Sequence, residues 1–209
     1  MILLFALLGI STSIIGALPL GASNIAVINT TIKQNLKQAL KIAITAGVAE
    51  VLLSVYALNY NMMVKDFFST NQWVQVLLAI TLLGIGGLLF FKKDKSNSTP
   101  KSKSSALKSK YATGFLLGLL NPPVLIYWLL VYGIINSKVA MLTISSPVAQ
   151  LFGFFIGVYL GKTLTLYFYG KFSVYMMRKF SNVNQIINKV TGSLLVSVGM
   201  LQFAKLYFV

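Results

Sequence analysis

The chain of 209 residues contains no cysteine, no histidine and only three acids, Glu50, Asp66 and Asp94. Without cysteine there are no disulfides and no thiol redox chemistry, and without either residue the common soft-metal ligand sets are missing. Histidine's absence also removes the usual proton shuttle. Three scattered acids make paired-carboxylate catalysis a poor reading, and there is no Ser/His/Asp set, P-loop or G-x-G-x-x-G stretch. These absences exclude most enzyme chemistry, and no cofactor or metal is expected. Charge is scarce as well, at 10% of residues against 56% hydrophobic, with a mean hydropathy of +0.79. The charge-free windows have the length of bilayer spans. The composition is that of an all-α polytopic membrane protein whose main surroundings are lipid.

What charge there is has one sign, with a net of +15. Its placement argues against nucleic acid as a partner, because the lysines flank apolar segments and fill the loops between them. Six such segments are expected, at about residues 2–28, 42–63, 73–91, 113–135, 147–170 and 190–208. The opening MILLFALLGI lacks the basic region of a secretory signal and reads as part of a retained first span. Loops on one side of the membrane hold fourteen of the basic residues and loops on the other hold three. The positive-inside rule then places the basic loops in the cytoplasm and both termini outside. Residues 92–112 form a basic, low-complexity linker, expected to be cytoplasmic and disordered. It divides the chain into a first three-helix half, residues 1–91, and a second, residues 113–209. The stretch 172–187 mixes apolar and basic residues, and reads either as a helix lying on the membrane face or as a solvated loop.

Three spans per half is an odd number, so two repeats must lie upside down to each other in the membrane. Residues 81–93 laid over the segment starting at Ser193 give six identities in thirteen positions. The first segments of the halves correspond more tellingly. GALPLGASN, residues 16–24, interrupts the first span with Pro19 and Gly21, followed by Ser23 and Asn24. GLLNPPV interrupts the fourth with Asn121, Pro122 and Pro123. A broken helix in hydrocarbon strands N–H and C=O groups unless protein or a water-filled cavity covers them. The second half-helices are expected to start near Ala22 and Pro123, with Asn121 as an N-cap. A matched pair of breaks is either a pair of packing kinks or a binding site, and correspondence between halves favours the site.

Two charges lie inside the spans. Glu50 shares a face of small and polar residues with Ala43, Gly47, Ser54, Ala57 and Asn61. Lys162 follows the ridge Gly153, Gly157, Gly161, a close-packing pattern. An isolated charge at a helix centre costs on the order of 2.5–3.5 kcal/mol on insertion scales. Both are therefore expected to face the interior and to pair, directly or through one water, either as a fixed structural pair or as an ion-coupling device.

These residues resemble the LysE/RhtB family of bacterial amino-acid exporters. The resemblance rests on the Pro/Gly break followed by Asn24, on the acid of the second span, and above all on TGFLLGLLNPPVLIYWLL, where Gly114, Phe115, Leu120, Asn121 and Pro122 match the family pattern. It covers nearly the whole chain. Departures are the absent second proline of the first break, Glu50 where aspartate is usual, and Lys162. The wider superfamily includes metal-ion and thiol-disulfide carriers, which the lack of cysteine and histidine argues against here. The resemblance implies export of an amino acid or similar small metabolite across the cytoplasmic membrane, coupled to protons. The helix breaks and the intramembrane charges supply the candidate site: substrate contacts at Pro19, Gly21, Ser23, Asn24, Asn121, Pro122 and Pro123, with ion coupling at Glu50 and Lys162. A non-transporting membrane subunit, a transporter of an inorganic anion and a homo-oligomer all remain open at this point.

Overall fold

Proline and glycine placement decides where the helices of this chain stop. The computed structural model describes residues 2–18, 21–91, 109–139 and 141–179, together with isolated positions between 189 and 204. Seven helices occur among the described residues: α1 (Ile2–Ala17), α2 (Ala22–Lys33), α3 (Leu36–Thr70), α4 (Gln72–Phe91), α5 (Lys110–Leu119), α6 (Pro122–Lys138) and α7 (Val148–Lys179). The chain is an all-helical polytopic membrane protein. Leu36–Tyr60 and Val148–Ser173 are each long and apolar enough to cross a membrane, and four segments are if each bent pair counts as one span. α4 coincides with the third expected segment. The expected linker, residues 92–108, and most of the sixth segment lie outside the described residues, as do the side chain of Asn61 and the residues Pro19 and Leu20.

The expected interruptions are present. α1 and α2 meet at 77°, and the α5–α6 pair bends by 54°. One expectation needs correction. Residues 172–179 are neither a separate surface helix nor a loop but the continuation of α7 to Lys179. Nothing in that stretch breaks a helix, since it has no proline or glycine.

The contacts divide the chain into two compact units, each drawing on both halves of the sequence. One comprises residues 63–99 and 179–209, where Gly199 sits beside Leu83 of α4. The other comprises residues 1–62 and 100–178 and holds both breaks and both intramembrane charges. Within it, α1 packs on α6 and α2 packs on α5. Broken helices lying side by side in the same direction would pair α1 with α5. The crossed pairing belongs to antiparallel neighbours, as an inverted repeat requires.

Glycine lets these helices approach to backbone contact. A Cβ on Gly157 would overlap the Ala6 carbonyl oxygen, and one on Gly161 would lie 2.7 Å from that of Ile10. Gly9 of α1 meets the Phe154 carbonyl of α7 in the same way. The corresponding pair with the halves exchanged is α5 on α3, where Gly114 meets Ile42 and Gly118 meets Ala46 and Ala49. The opposite face of α7 exposes Phe152, Ile156, Leu160, Leu164, Phe168 and Phe172 at four-residue intervals. In water that stripe would be an aggregation liability; in a bilayer it is the lipid-facing surface.

Candidate functional site

Ala43, Gly47, Glu50, Ser54 and Ala57 are all buried, so the small and polar face of α3 looks into the unit as its spacing predicts. Lys162 is buried on α7, and its Nζ lies 2.6 Å from Glu50 Oε2. Ser13 of α1 donates to the other carboxylate oxygen, Oε1, at 3.0 Å. Glu50 stands fourteen residues beyond Leu36 and Lys162 fourteen beyond Val148, the first residues of α3 and α7. The ion pair thus joins corresponding positions of α3 and α7, one from each half of the sequence.

Apolar clusters bound this pair on two sides. Phe5, Leu58, Trp128, Tyr132, Leu142 and Phe154 belong to one cluster, and Ala26, Val27, Ala39, Ile42 and Leu166 to the other. Reading along α3, the order is Ile42, Glu50, Leu58; along α7 it is Phe154, Lys162, Leu166. Along α1 and α2 it is Phe5, then Ser13, Ser23 and Asn24, then Val27. The polar residues therefore form a layer between a bulky aromatic cluster and a thinner one rich in alanine. Ser54 and Tyr132 share a hydrogen bond of 2.6 Å at the aromatic side of that layer.

The two breaks approach each other within the unit. A Cβ on Gly21 would lie 3.5 Å from the Asn121 amide nitrogen. Gly21 is the N-cap of α2 in an extended conformation and provides no side-chain cap. The first-turn N–H groups of α2 have no carbonyl within their own helix. Ser23, in that turn, is 1% exposed, and its hydroxyl finds no partner among the described residues. Buried polar atoms are almost always satisfied, and a water or a ligand reaching the α2 N-terminus would satisfy this one.

The second break is built differently, and the expected side-chain cap by Asn121 does not form. The residue does occupy the N-cap position. Pro122 and Pro123 follow it, so the first two helical positions have no N–H. The third, Val124, bonds to the Asn121 backbone carbonyl at 3.0 Å. No N–H is left for the side chain, whose amide lies beside Gly21 instead. Of the two breaks, only that before α2 leaves first-turn N–H groups, and the Asn121 amide of the other lies beside it.

Asn24 also has a part that its position in the sequence did not reveal. Its Nδ2 donates to the Ala17 carbonyl across the break at 2.8 Å, and the Tyr169 hydroxyl of α7 donates to Leu18 O at 2.7 Å. Together they cover the carbonyl end of α1. The Tyr127 hydroxyl donates to Thr12 O, and the same ring fills the space beside Gly16. Ser13, Tyr127 and Tyr169 were not picked out by sequence reasoning, since hydroxyl side chains on apolar helices carry no signal of which neighbour they reach. Asn24→Ala is expected to cost about 1–3 kcal/mol by leaving the buried Ala17 carbonyl unpaired. Thermal unfolding of the purified variant in detergent measures this; an unchanged melting temperature would restrict Asn24 to ligand contact.

Comparison with known proteins gives the remaining findings. A protein of Bacillus subtilis (strain 168) named "Putative amino acid efflux protein YcgF" is 30% identical to this chain over 138 residues, covering 65% of this chain and 64% of the relative. The matched part thus spans just under two thirds of that relative's length. No solved structure matches the chain. The sequence model of the LysE type translocator family matches residues 14–205, a stretch that takes in both helix breaks, Glu50 and Lys162, and the chain belongs to that family.

Proposed function

We propose that this protein is a secondary transporter that exports amino acids or similar small metabolites across the bacterial cytoplasmic membrane in exchange for protons. The observation that carries the reading is the polar layer: two helix breaks brought together beside a buried ion pair, with apolar clusters on either side. The α2 N-terminus, the Ser23 hydroxyl and the Asn121 amide offer hydrogen bonds to a carboxylate. Gly21 admits the ligand close to backbone. Pro19, Pro122 and Pro123 keep the breaks from closing into continuous helix. Glu50 takes an ammonium group or a coupling proton, and Lys162 is its partner in the ion pair. Alternating access opens this layer to one side at a time, the aromatic cluster closing one side and the alanine-rich cluster the other.

Family membership and the name of the Bacillus relative support the substrate class. The basic loops support a cytoplasmic-side orientation with both termini outside. An inorganic anion transporter using Lys162 is the weaker reading, because that ammonium already has its carboxylate at 2.6 Å. A purely structural subunit leaves the orphan Ser23 hydroxyl without a purpose. Association into homo-oligomers is compatible with this reading and is not required by it.

Efflux from vesicles containing only this protein, loaded with the twenty standard amino acids, tests the proposal. Asn121→Ala is the informative variant. With no cap to lose, its stability is expected to change by less than about 0.5 kcal/mol. Efflux is expected to fall by about tenfold, the equivalent of one hydrogen bond to a charged ligand. Wild-type vesicles that release none of the twenty would sink the export reading.

A further inference from the structure

The geometry points to Lys162 as a tethered stand-in for the substrate's own ammonium group: Glu50 and Ser13 form an ammonium subsite, which the lysine fills when the transporter is empty and vacates when an α-amino acid binds. The inference rests on the export reading and narrows it to solutes with a free ammonium.

A buried ion pair is a poor stabiliser, since desolvation offsets most of its attraction. Its retention asks for another reason. The two oxygens of Glu50 are held by different elements. Ser13 donates to Oε1 from α1 at 3.0 Å, and Lys162 reaches Oε2 from α7 at 2.6 Å. When the lysine leaves, Ser13 still orients the carboxylate, with Oε2 turned toward the vacated place. α7 packs closely on α1 at this level: a Cβ on Gly161 would lie 2.7 Å from the Ile10 carbonyl oxygen and 2.9 Å from Ser13 Cβ. What can move is the four-carbon stem of Lys162, which is flexible by nature.

Lysine is also the right chemical copy. Its head is a compact ammonium with three donors, as is the ammonium of an amino acid, whereas arginine presents a planar fork. The carboxylate donors are close by. Ser13 lies one helical turn, roughly 6 Å, before Ala17. Asn24, in the first turn of α2, is bonded to the Ala17 carbonyl, and the orphan hydroxyl of Ser23 belongs to that same turn. An α-amino acid carries ammonium and carboxylate on one carbon, and hydrogen bonds of about 2.9 Å at each end reach across a gap of that size. In the empty protein the lysine neutralises Glu50, so no free carboxylate stands open to stray cations.

The test uses the full chain and two variants. Lys162→Ala leaves the subsite vacant. Ethylammonium chloride is expected to raise its melting temperature saturably by several degrees. It should do so for neither the wild type nor the Glu50→Gln, Lys162→Ala double variant, and tetramethylammonium, which has no N–H, should have no effect. Lys162→Arg keeps a charge pair and provides a folded second variant. Its fork should hold Glu50 more firmly, raising KM about tenfold for the amino acid that wild-type vesicles export fastest while leaving kcat within about twofold. No ethylammonium effect on Lys162→Ala overturns the inference, as does an unchanged KM in Lys162→Arg. Should Lys162→Ala fail to fold in plain buffer, purification with ethylammonium present is expected to recover it, and failure to recover counts against the inference. An ethylammonium effect in a protein that exports no amino acid would keep the cation subsite and defeat the export reading alone.

Discussion

Lys162→Met is expected to cost the folded protein about 3–5 kcal/mol, and adding Glu50→Gln is expected to return most of that loss. The single change removes the ammonium 2.6 Å from Glu50 and leaves a buried carboxylate with only the Ser13 hydroxyl. The double change removes both charges and keeps the volumes close to those of the original pair. Glu50→Gln alone should be milder, because the amide oxygen still accepts from Lys162 and the amide remains within reach of Ser13. Thermal unfolding in detergent reads all three. Transport then separates scaffold from machinery. If the pair only holds α3 to α7, the double variant should regain efflux along with its fold. The export reading expects the fold alone to return. A carrier of protons must part from its ammonium during the cycle, and neither glutamine nor methionine can take up a proton in its place. Glu50→Gln should therefore fold yet lose the pH dependence of efflux, measured across imposed pH steps. Full pH-dependent efflux in that variant would remove Glu50 from the coupling mechanism.

Why the breaks and the pair were legible in the sequence, and other parts of the site were not, follows from how each residue acts. Pro122 and Pro123 forbid helical hydrogen bonds whatever surrounds them, and Gly21 weakens a helix on its own account. Glu50 and Lys162 stand out because hydrocarbon penalises charge at any rotation of the helix. Spacing alone put Glu50 on the small-residue face. Asn121 shows the limit: an asparagine before a helix is a good cap, but capping needs an N–H two or three residues on. One had been removed by proline and the other taken by a backbone carbonyl. That outcome depends on the backbone turn at 121, which composition does not encode. Ser13, Asn24 and Tyr169 act across distances of 37, 7 and 151 residues in the chain. Their partners are fixed by how α1 lies on α2, α3 and α7, and a serine in an apolar helix bonds as readily to its own helix. The continuation of α7 to Lys179 was missed because hydropathy falls at Lys171 while helix propensity does not. Hydropathy reports the membrane boundary, and a helix has no need to end there.

The glycine ridge, by contrast, was read from the sequence as a packing signal, and its geometry leads to the other large effect. Gly157→Val is expected to remove most of the folded protein, while Gly133→Ala is expected to leave it intact. At Gly157 a Cβ would overlap the Ala6 carbonyl oxygen and lie 2.9 Å from the Ile10 N–H nitrogen. Both are backbone atoms of a helix and cannot rotate away as a side-chain end would. Overpacking a well-filled core costs about 1–3 kcal/mol even where side chains can give, and here α1 and α7 must separate. Separation at Gly157 also pulls Gly161 from Ile10 and Ser13, and so pulls Lys162 from Glu50 on the next turn. At Gly133 of α6 nothing lies within 4 Å of an added Cβ. Alanine there should be neutral or slightly stabilising, since glycine inside a helix costs roughly 0.5–1 kcal/mol relative to alanine. The yield of monodisperse protein after detergent extraction measures both. Because the ridge packs α1 on α7 over three successive contacts at Gly153, Gly157 and Gly161, these two helices are expected to move together. Any rocking between access states must then be taken up where the ridge ends, at the break between α1 and α2. Gly157→Ala, with its smaller intrusion, should accordingly slow efflux while sparing more of the fold than valine does. Equal yields for Gly157→Val and Gly133→Ala would show that the two helices tolerate separation and that the lock is not needed.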